Sequence, residues 1–559
     1  MGLSGSSALS GLLTAQRALE VVGHNVANAS TPGYSRQRVE LSTRRPQSAT
    51  GAGQLGTGVQ IVAIRRSVDM FLEGRLQEAE SRLGVSASSA LGVGELEEIW
   101  GRAGQQISDT LTAITNVAEE IAARPDDPIL RTQFIGHAED LARRIRTLAS
   151  DVIQVRSDLS KVVEADVGEA NSLVAEVKAL NLEIRGLEIS GQTPNDLLDR
   201  RAIAVRALGR LVGAESKESP SGEVSLRVAG RILLSGQDAE TLSASNDAQG
   251  MTQLHVGGLL TTLEGGSVLG SQRAQSAALD SEGRLDTLAR GMIEVLNRAN
   301  SVGVPASGPM TSLASGWPTV DVNGSGSPND DPLASAGLPF VPGATTIQVN
   351  VTDPAGVRTT TAVSFDPATG TLADLASALG ASPFLNASAD PGGILRLSAV
   401  AGYAFDFADP GGDPDPGGLL AALGLGAVLG GDGATDITLV LGSESDLALG
   451  WTPAPGDGRN ATRIAAALSG VAAQLGDETP VAFLAGIVTR QGLVARRANA
   501  DEDSSGASLD ALEARNQSVS GVSLEEEVAD LLKFQQAFEA SARYLSVINE
   551  ISDTLLRLV

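Results

Sequence analysis

The sequence contains no cysteine. A disulfide framework is therefore impossible, and so is any thiolate nucleophile or thiolate metal ligand. Histidine is nearly absent: His24, His137 and His255 stand far apart, without a paired ligand spacing. None of the lysines, Lys161, Lys178, Lys217 and Lys533, follows a glycine, so there is no Walker loop to cradle a phosphate. Serines and carboxylates are abundant, but no Gly-x-Ser-x-Gly elbow frames a nucleophile. These absences speak against an enzyme. They also leave no residue to nominate as catalytic, cofactor-binding or metal-ligating.

Long apolar runs are missing as well. No stretch approaches the roughly 18 apolar residues that a membrane-crossing helix requires. The N-terminus lacks a charged start followed by a continuous apolar core, so a cleavable secretory signal is not expected, and export would need another route. Positive charge is scarce, with a formal net charge of −26, which argues against nucleic acid because backbone phosphates would be repelled. The one notable basic cluster is Arg36, Arg38, Arg44 and Arg45, with Arg65 and Arg66 further on. It reads either as a solvated strand face or as a surface that meets acidic groups on a neighbouring subunit. Aromatics make up only 3% of the residues, whereas there are 64 glycines. That balance favours helices packed on small aliphatic side chains, with loop-rich β segments between them. A chain of 559 residues exceeds what one core supports, and three or four domains are expected.

What is present begins at the N-terminus. Ala8, Leu12, Ala15, Leu19, Val22 and Val26 recur at spacings of four and three, the seam of a helix meant for a partner helix. Pro32 must stop that helix, since it lacks an amide proton and disfavours helical geometry at Thr31. Thr31-Pro32-Gly33-Tyr34 fits a type II turn, with Pro at its second position and Gly taking positive φ at its third. Val39 and Leu41 then fall on one face of a short strand. Helix, hard stop, tight turn and strand together suit an assembly element.

The run Gly23-His24-Asn25-Val26-Ala27-Asn28-Ala29-Ser30-Thr31-Pro32-Gly33-Tyr34 resembles the N-terminal motif of the bacterial flagellar axial proteins of rod, hook and hook-associated type. Its continuation, Tyr34-Ser35-Arg36-Gln37, is most similar to the hook-associated members that join hook to filament. At the far end, Ser520-Gly521-Val522-Ser523-Leu524-Glu525-Glu526-Glu527 and Phe534-Gln535-Gln536-Ala537-Phe538-Glu539-Ala540-Ser541-Ala542-Arg543 resemble the C-terminal motif of the same family. With weaker matches between them, the resemblance covers the whole chain.

Between these ends, Gly51-Ala52-Gly53-Gln54-Leu55-Gly56 has the letters of a dinucleotide fingerprint, but a strand rather than a helix follows, so a loop within a β-hairpin is expected. From about Ser67 to Val212 the chain reads as long helices. Leu141, Ile145, Leu148, Val152, Val155, Leu159 and Val162 hold a heptad seam that meets Asp166 and Glu169. It resumes with a slip at Leu173, Val177, Leu180, Ile184 and Leu187, a pattern suited to a long coiled-coil pair. Arg124 to Pro128 should break the helices. Pro194 to Leu211 predicts another helix with Asp199, Arg200 and Arg201 on its polar side. Val224 to Leu234 predicts a hairpin around Gly230, and Gln272 to Asn300 a further helix.

From Ser301 to about Asp457, Pro, Gly, Asp and Ser crowd in. Thr346–Val351 and Thr359–Phe365 alternate around an Asp-Pro-Ala-Gly turn, with further strands at Leu395–Leu397 and Tyr403–Phe407. The Asp residues of the loop 411–418 do not match a calcium-loop spacing. Helix resumes over Asn460–Leu475 and Val481–Ser518. A capping box, Ser523-Leu524-Glu525-Glu526, then opens a last helix. Its seam runs through Leu524, Val528, Leu531, Phe538, Ala542, Leu545, Leu556 and Val559, with Gln535, Asn549 and Ser552 as its polar members.

The expected fold is mainly α with a β-rich insertion, an elongated multi-domain axial protein. Residues 1–66 with 519–559 would form a terminal-helix assembly domain. Residues 67–302 with 457–518 would form a long-helix bundle with a β-hairpin, and 303–456 an inserted outer β domain. An isolated helix of the N-terminal length is marginal, so both ends are expected to order only on assembly. The resemblance implies a structural part of the flagellum, carried out by the flagellar type III export apparatus and placed at the distal end of the hook. It implies as partners identical lateral neighbours, the hook protein, a second hook–filament junction protein, and an export chaperone on the C-terminal helix. It offers as assembly residues Leu12, Leu19, Asn25, Asn28, Thr31, Pro32, Gly33 and Tyr34, with Leu531, Phe534, Phe538 and Leu545 opposite. Two other readings stay open: another axial component of hook or distal rod, and a secreted adhesin whose β domain binds a surface ligand.

Overall fold

The structure, a computed structural model, describes residues 3–49, 53–409 and 411–557. Among these the chain forms helices α1 (Leu3–Asn28), α2 (Met70–Ala123), α3 (Pro128–Ile189), α4 (Asn195–Val212), α5 (Ser267–Ser301), α6 (Leu372–Gly380), α7 (Leu419–Ala422), α8 (Arg459–Ser469), α9 (Pro480–Ser520) and α10 (Leu524–Arg557). Small antiparallel sheets lie between them. The architecture is mainly α with β-rich segments, as expected. The chain divides into two compact units: Met1–Gly92 with Ser157–Gln275 and Arg496–Val559, and Val93–Arg156 with Ser276–Ala495.

Helices α2 and α3 run for 54 and 62 residues because no proline or turn signal interrupts either. The expected break between them is there: α2 ends at Ala123, and α3 opens with Pro128 in its first turn. The Asp127 carboxylate accepts the Ile129 amide at 2.9 Å, satisfying one of the orphan donors of the helix start. Along α3 the buried residues follow the expected seam from Leu141 to Leu159 and then depart from it. Val163, Val167, Ala170 and Val174 are buried, whereas Val162 is exposed and Leu173 only half-buried. Two successive steps of four after Leu159 replace the expected slip, a local unwinding that carries the stripe past Asp166 without burying Glu169.

In the first unit that stripe packs on Ala204, Val205, Leu208 and Val212 of α4 and on Leu226, Leu234 and Leu254 from two small sheets. One sheet has four strands, Glu215–Glu218, Val224–Val228, Arg231–Ser235 and Asp238–Ala239; the other has three, Leu242–Asn246, Thr252–Val256 and Leu259–Thr261. The predicted hairpin at Gly230 is present. Ala229 and Gly230 both take positive φ, 47° and 76°, as a two-residue turn matching the strand twist requires. The polar side expected for α4 is corrected: Arg200 is exposed, but Asp199 and Arg201 are buried. Arg201 reaches the Asn181 side chain, the Gly222 carbonyl and Glu218, so its burial is compensated by partners that are distant in sequence.

The same unit holds the chain ends. Strands β1 (Gln37–Thr43), β2 (Gln47–Ala49), β3 (Gly53–Leu55) and β4 (Val59–Arg66) form a two-storey hairpin, β1 on β4 and β2 on β3. This is the hairpin expected around the Gly-rich run, of which Gly51 and Ala52 lie outside the described residues. A bulge between Glu40 and Leu41 reverses the alternation. Val39 is half-buried and Leu41 exposed, so the two do not share a face as expected.

In the second unit Thr345–Thr352 pairs with Arg358–Phe365 on one side and with Ala404–Asp406 on the other. Leu395–Ala399 is paired by Ser312–Ala314 and Leu385–Ala389. The expected hairpin turn is set by Asp353, whose carboxylate accepts the amides of Ala355 and Val357, each at 2.8 Å. Ile347, Val349, Leu375, Leu379, Phe405, Phe407 and Leu420 form the core. Helices α6 and α7, which bring Leu375, Leu379 and Leu420 into it, were not expected. Helix α8 stops at Ser469 rather than Leu475, because Gly470 turns into extended backbone; a single 3₁₀ turn follows at Ala473–Leu475.

Candidate assembly interface

Helix α1 packs along α10. Gly11 lies against Ser541 and Asn25 bonds Glu527, so numbers rise along one helix as they fall along the other: the pair is antiparallel. A Cβ on Gly11 would sit 2.9 Å from the Ser541 hydroxyl, which shows how closely small residues let the helices approach. The face of α1 that is buried holds Ala8, Ala15, Ala18, Val22 and Asn25; Ser10, Thr14 and Val21 are buried too, and Ser10 Oγ accepts the Val59 amide of β4 at 3.2 Å. Leu12 and Leu19 are half-buried, and Val26 is exposed. On α10 Phe534, Phe538, Ser541, Leu545 and Ile548 are half-buried and Leu531 is exposed. The side chain of Leu556 and the whole of Val559 lie outside what is described.

Where α1 ends, the turn forms as expected. The Tyr34 amide donates to the Thr31 carbonyl at 3.2 Å, and Gly33 has φ +76°. Thr31, Pro32 and Gly33 are exposed; Asn28 is half-buried and ties the helix end by donating to the His24 carbonyl at 3.0 Å. The turn aims Tyr34 back at the helix. Its hydroxyl donates to Asn25 Oδ1 at 2.8 Å and meets His24 Nδ1 at 2.9 Å. Burial and the nearby carboxylates of Asp196, Asp199 and Glu527 push the Tyr34 phenol well up, so it stays a protonated donor.

Asn25 is the hub of this corner. Its oxygen also accepts the Gln37 amide at 2.9 Å, while its nitrogen donates to the Gln37 carbonyl at 2.9 Å and to Glu527 Oε2 at 3.0 Å. One buried side-chain amide thus pins helix, turn, strand and the opposite end of the chain. Arg36 completes the joint. It is 5% exposed, donates from Nε to Glu527 Oε1 at 2.5 Å, and pairs with Glu526 and Asp530. Burial lowers its pKa, but the hydrogen bond to Glu526 and the charge of Glu527 outweigh that and hold it above the ordinary value. The Arg36 backbone donates to the Ser520 carbonyl at 2.8 Å, at the elbow between α9 and α10. Ser35 donates through amide and hydroxyl to Asp199 on α4, which Arg66 of β4 also pairs at 3.0 Å.

The structure therefore brings Asn25 and Tyr34 together with the far end of the chain, and leaves Thr31, Pro32, Gly33 and Leu531 on the surface. The basic cluster divides. Arg36 is neither solvated nor turned to a neighbour; Arg65 pairs with Glu40 at 3.4 Å, and Arg38, Arg44 and Arg45 are exposed. The expected capping box is only half made: the Glu526 amide lies 3.5 Å from Ser523 Oγ, but the Glu526 carboxylate goes to Arg36 instead of returning to Ser523. Sequence reasoning missed Arg36, Asp199 and Glu527. The available signal was a lone arginine inside the first motif set against three successive glutamates opening the second. Among the described residues Asp321, Asp330 and Asp331 gather their oxygens within 4.8 Å, and two of these carboxylates accept loop amides from Val322, Ser325 and Gly326.

Three family models match the chain in order. "Flagella basal body rod protein" covers residues 6–34, "Flagellar hook-associated protein FlgK helical domain" covers 93–312, and "Flagellar basal body rod FlgEFG protein C-terminal" covers 515–558. The flagellar hook-associated protein 1 of Bacillus subtilis (strain 168) is 23% identical over 100% of this chain and 97% of its own length. Over its whole length the chain is similar to the flagellar hook-associated protein 1 family. A second member, from Salmonella typhimurium, is 27% identical over 42% of this chain and 43% of its own. A solved structure of the flagellar hook junction protein FlgK from Burkholderia pseudomallei shares the fold, with a TM-score of 0.54 at 18% identity, over 80% of this chain and 100% of that one. The family is structural and not enzymatic. The first and last family models fall on α1 and α10, the two helices that the Asn25–Arg36–Glu527 joint fastens together.

Proposed function

We propose that this chain is a structural subunit of the bacterial flagellum that joins hook to filament, leaves the cell by the flagellar export route and assembles through its terminal helices. The observation that carries this reading is the joint of Asn25, Tyr34, Arg36 and Glu527. It fixes the two family motifs to each other and leaves the outer faces of both helices free for neighbours. Leu9, Leu13 and Val26 on α1, and Leu524, Val528, Leu532, Tyr544, Val547 and Ile551 on α10, are large apolar residues left exposed. A helix pair so exposed is completed by burial against other subunits.

On this reading the terminal-helix domain, residues 1–66 with 519–559, makes the tube-forming contacts, and Leu12, Leu19, Phe534, Phe538 and Leu545 hold the pair together. Exposed Thr31, Pro32, Gly33 and Leu531 face neighbours. The partners are identical lateral copies, the hook protein and the second junction protein, with an export chaperone on α10 before assembly. Residues 303–456 are an outer domain dispensable for the junction itself. Deleting the gene in the source bacterium tests the reading: hooks should persist without attached filaments, and filament subunits should collect in the medium. Supplying the chain without residues 303–456 should restore filaments. Attached filaments in the deletion strain would overturn the junction role, and failure of the shortened chain alone would overturn the assignment of the outer domain.

A further inference from the structure

The β1–β4 hairpin rests its inner face on α1 and leaves its outer face bare. The bulge at Glu40–Leu41 turns Leu41 outward, where it is 47% exposed, and Val62 beside it on β4 is 59% exposed. Arg38 and Arg65 stand on one side of this apolar pair, and Arg44 and Arg45 follow on the other, all exposed. Apolar residues rimmed by arginine are the composition of an interface rather than of a solvated strand. Glu40 on the same face pairs with Arg65, which leaves Arg38, Arg44 and Arg45 as the net positive rim; in a chain of net charge −26 they select an acidic partner.

The first turns of α10 have the matching composition. Leu524, Val528, Leu531 and Leu532 are exposed along one stripe, and exposed Glu525 borders it, with Glu526 beside it already paired to Arg36 of its own chain. Apolar centre meets apolar centre, and an arginine rim meets a carboxylate rim. Resting on the assembly reading above, we propose that the outer face of the β1–β4 hairpin docks on the first turns of α10 of the next copy of this chain. Two different patches of one chain then meet head to tail, so the contact repeats from copy to copy instead of closing a two-fold pair. The bulge has a purpose on this view, because without it Leu41 would face α1.

The absence of cysteine makes the test clean. Leu41→Cys and Val528→Cys, together and singly, replace exposed side chains, and hook–filament particles are isolated from cells carrying each variant and oxidised. The double variant should give a ladder of cross-linked dimers, trimers and higher species, and each single variant should stay monomeric on a denaturing gel. Particles that contain the double variant but show no ladder overturn the inference. So does a dimer from Leu41→Cys alone, which would mean hairpin meets hairpin, or a cross-link to a chain of another mass. A wild-type chain absent from the particles overturns the assembly reading instead. Arg45→Glu gives a second readout: it should cut occupancy of the particles on the order of tenfold, and adding Glu525→Arg should recover it. Equal occupancy in all three proteins also overturns the inference.

Discussion

At the scale of single residues, the joint is a buried charge set whose members cannot be removed one at a time without cost. Glu527 is 1% exposed and satisfies both Arg36 and Asn25. Glu527→Ala leaves Arg36 leaning on two partly exposed carboxylates and Asn25 short of an acceptor, a loss of about 3 kcal/mol on the usual cost of breaking a buried pair. The Arg36 amide, bonded to the Ser520 carbonyl, should then exchange its hydrogen roughly a hundredfold faster, which amide exchange measures directly. Unchanged exchange would mean that Glu526 and Asp530 alone hold the arginine. Gly33 carries a different constraint. Its φ of +76° costs an alanine about 1–2 kcal/mol, and the added Cβ would sit 2.5 Å from the Ile203 Cδ1 tip. Gly33→Ala should destabilise the corner, and Ile203→Ala beside it, which removes both Cδ1 and Cγ1, should recover the steric part but not the backbone part, as urea midpoints of Gly33→Ala, Ile203→Ala and the double variant would show. Carboxylates of the β-rich segments set an acid limit. Backbone amides, led by that of Ile394, hold Asp390 below the usual carboxylate range, and the hydrogen bond from Arg459 chiefly does the same for Asp457. A depressed folded pKa stabilises above the unfolded value near 3.9 and is lost as pH falls through the folded one. Burial raises Asp406 and Asp415, whose contribution runs the other way, growing as pH falls. Protection of the Ile394 and Thr452 amides, relative to their intrinsic exchange rates, should therefore fall below about pH 4, ahead of that of the core amides of Val349 and Phe405.

At the scale of elements, the kind of each long helix was legible and its phase was not. Heptad spacing on large apolar residues gave α1, α3 and α10, because nothing in those runs breaks a helix. The buried stripe of α1 keeps Ala8, Ala15 and Val22 of the expected seam and adds Ala18, whereas Leu12 and Leu19 are only half-buried and Val26 is exposed. Small residues permit close approach, so Ala18 joins Ala8 and Ala15 in the contact although strict heptad spacing passes over it. On α3 the choice between Val162 and Val163 depended on a change of twist that no single turn announces. That choice is testable: Val163→Ala should cost about 2 kcal/mol from lost burial and the cavity left behind, and Val162→Ala within about 0.5 kcal/mol of nothing. Equal costs at both positions would restore the slipped seam. Asp199, Arg201 and Arg36 were misplaced for a related reason. Each charge is buried only because partners far along the chain meet it, and a local pattern cannot contain them.

At the scale of the whole molecule, the ends and the middle are built to different standards. Helix α3 fills its length with fully buried valine, leucine and isoleucine, whereas the described side chains of α10 include one fully buried residue, the charged Glu527. The apolar partners along the α1–α10 seam are only half-buried, and an isolated pair with so little apolar burial does not offset the entropy of ordering two helices. The polar joint at residues 25–37 and 520–530 adds direction but little net free energy once its desolvation is counted. In the free chain, amide exchange should therefore be fastest along α1 before Asn25 and along α10 beyond Phe534, slower at the joint, and slowest through Val152–Val177 of α3. In isolated hook–filament particles the two ends should fall to the rates of α3, since neighbours then cover Leu9, Leu13, Val547 and Ile551. Ends as protected in the free chain as α3 would mean that the helix pair closes within one molecule, and folding on assembly would be excluded.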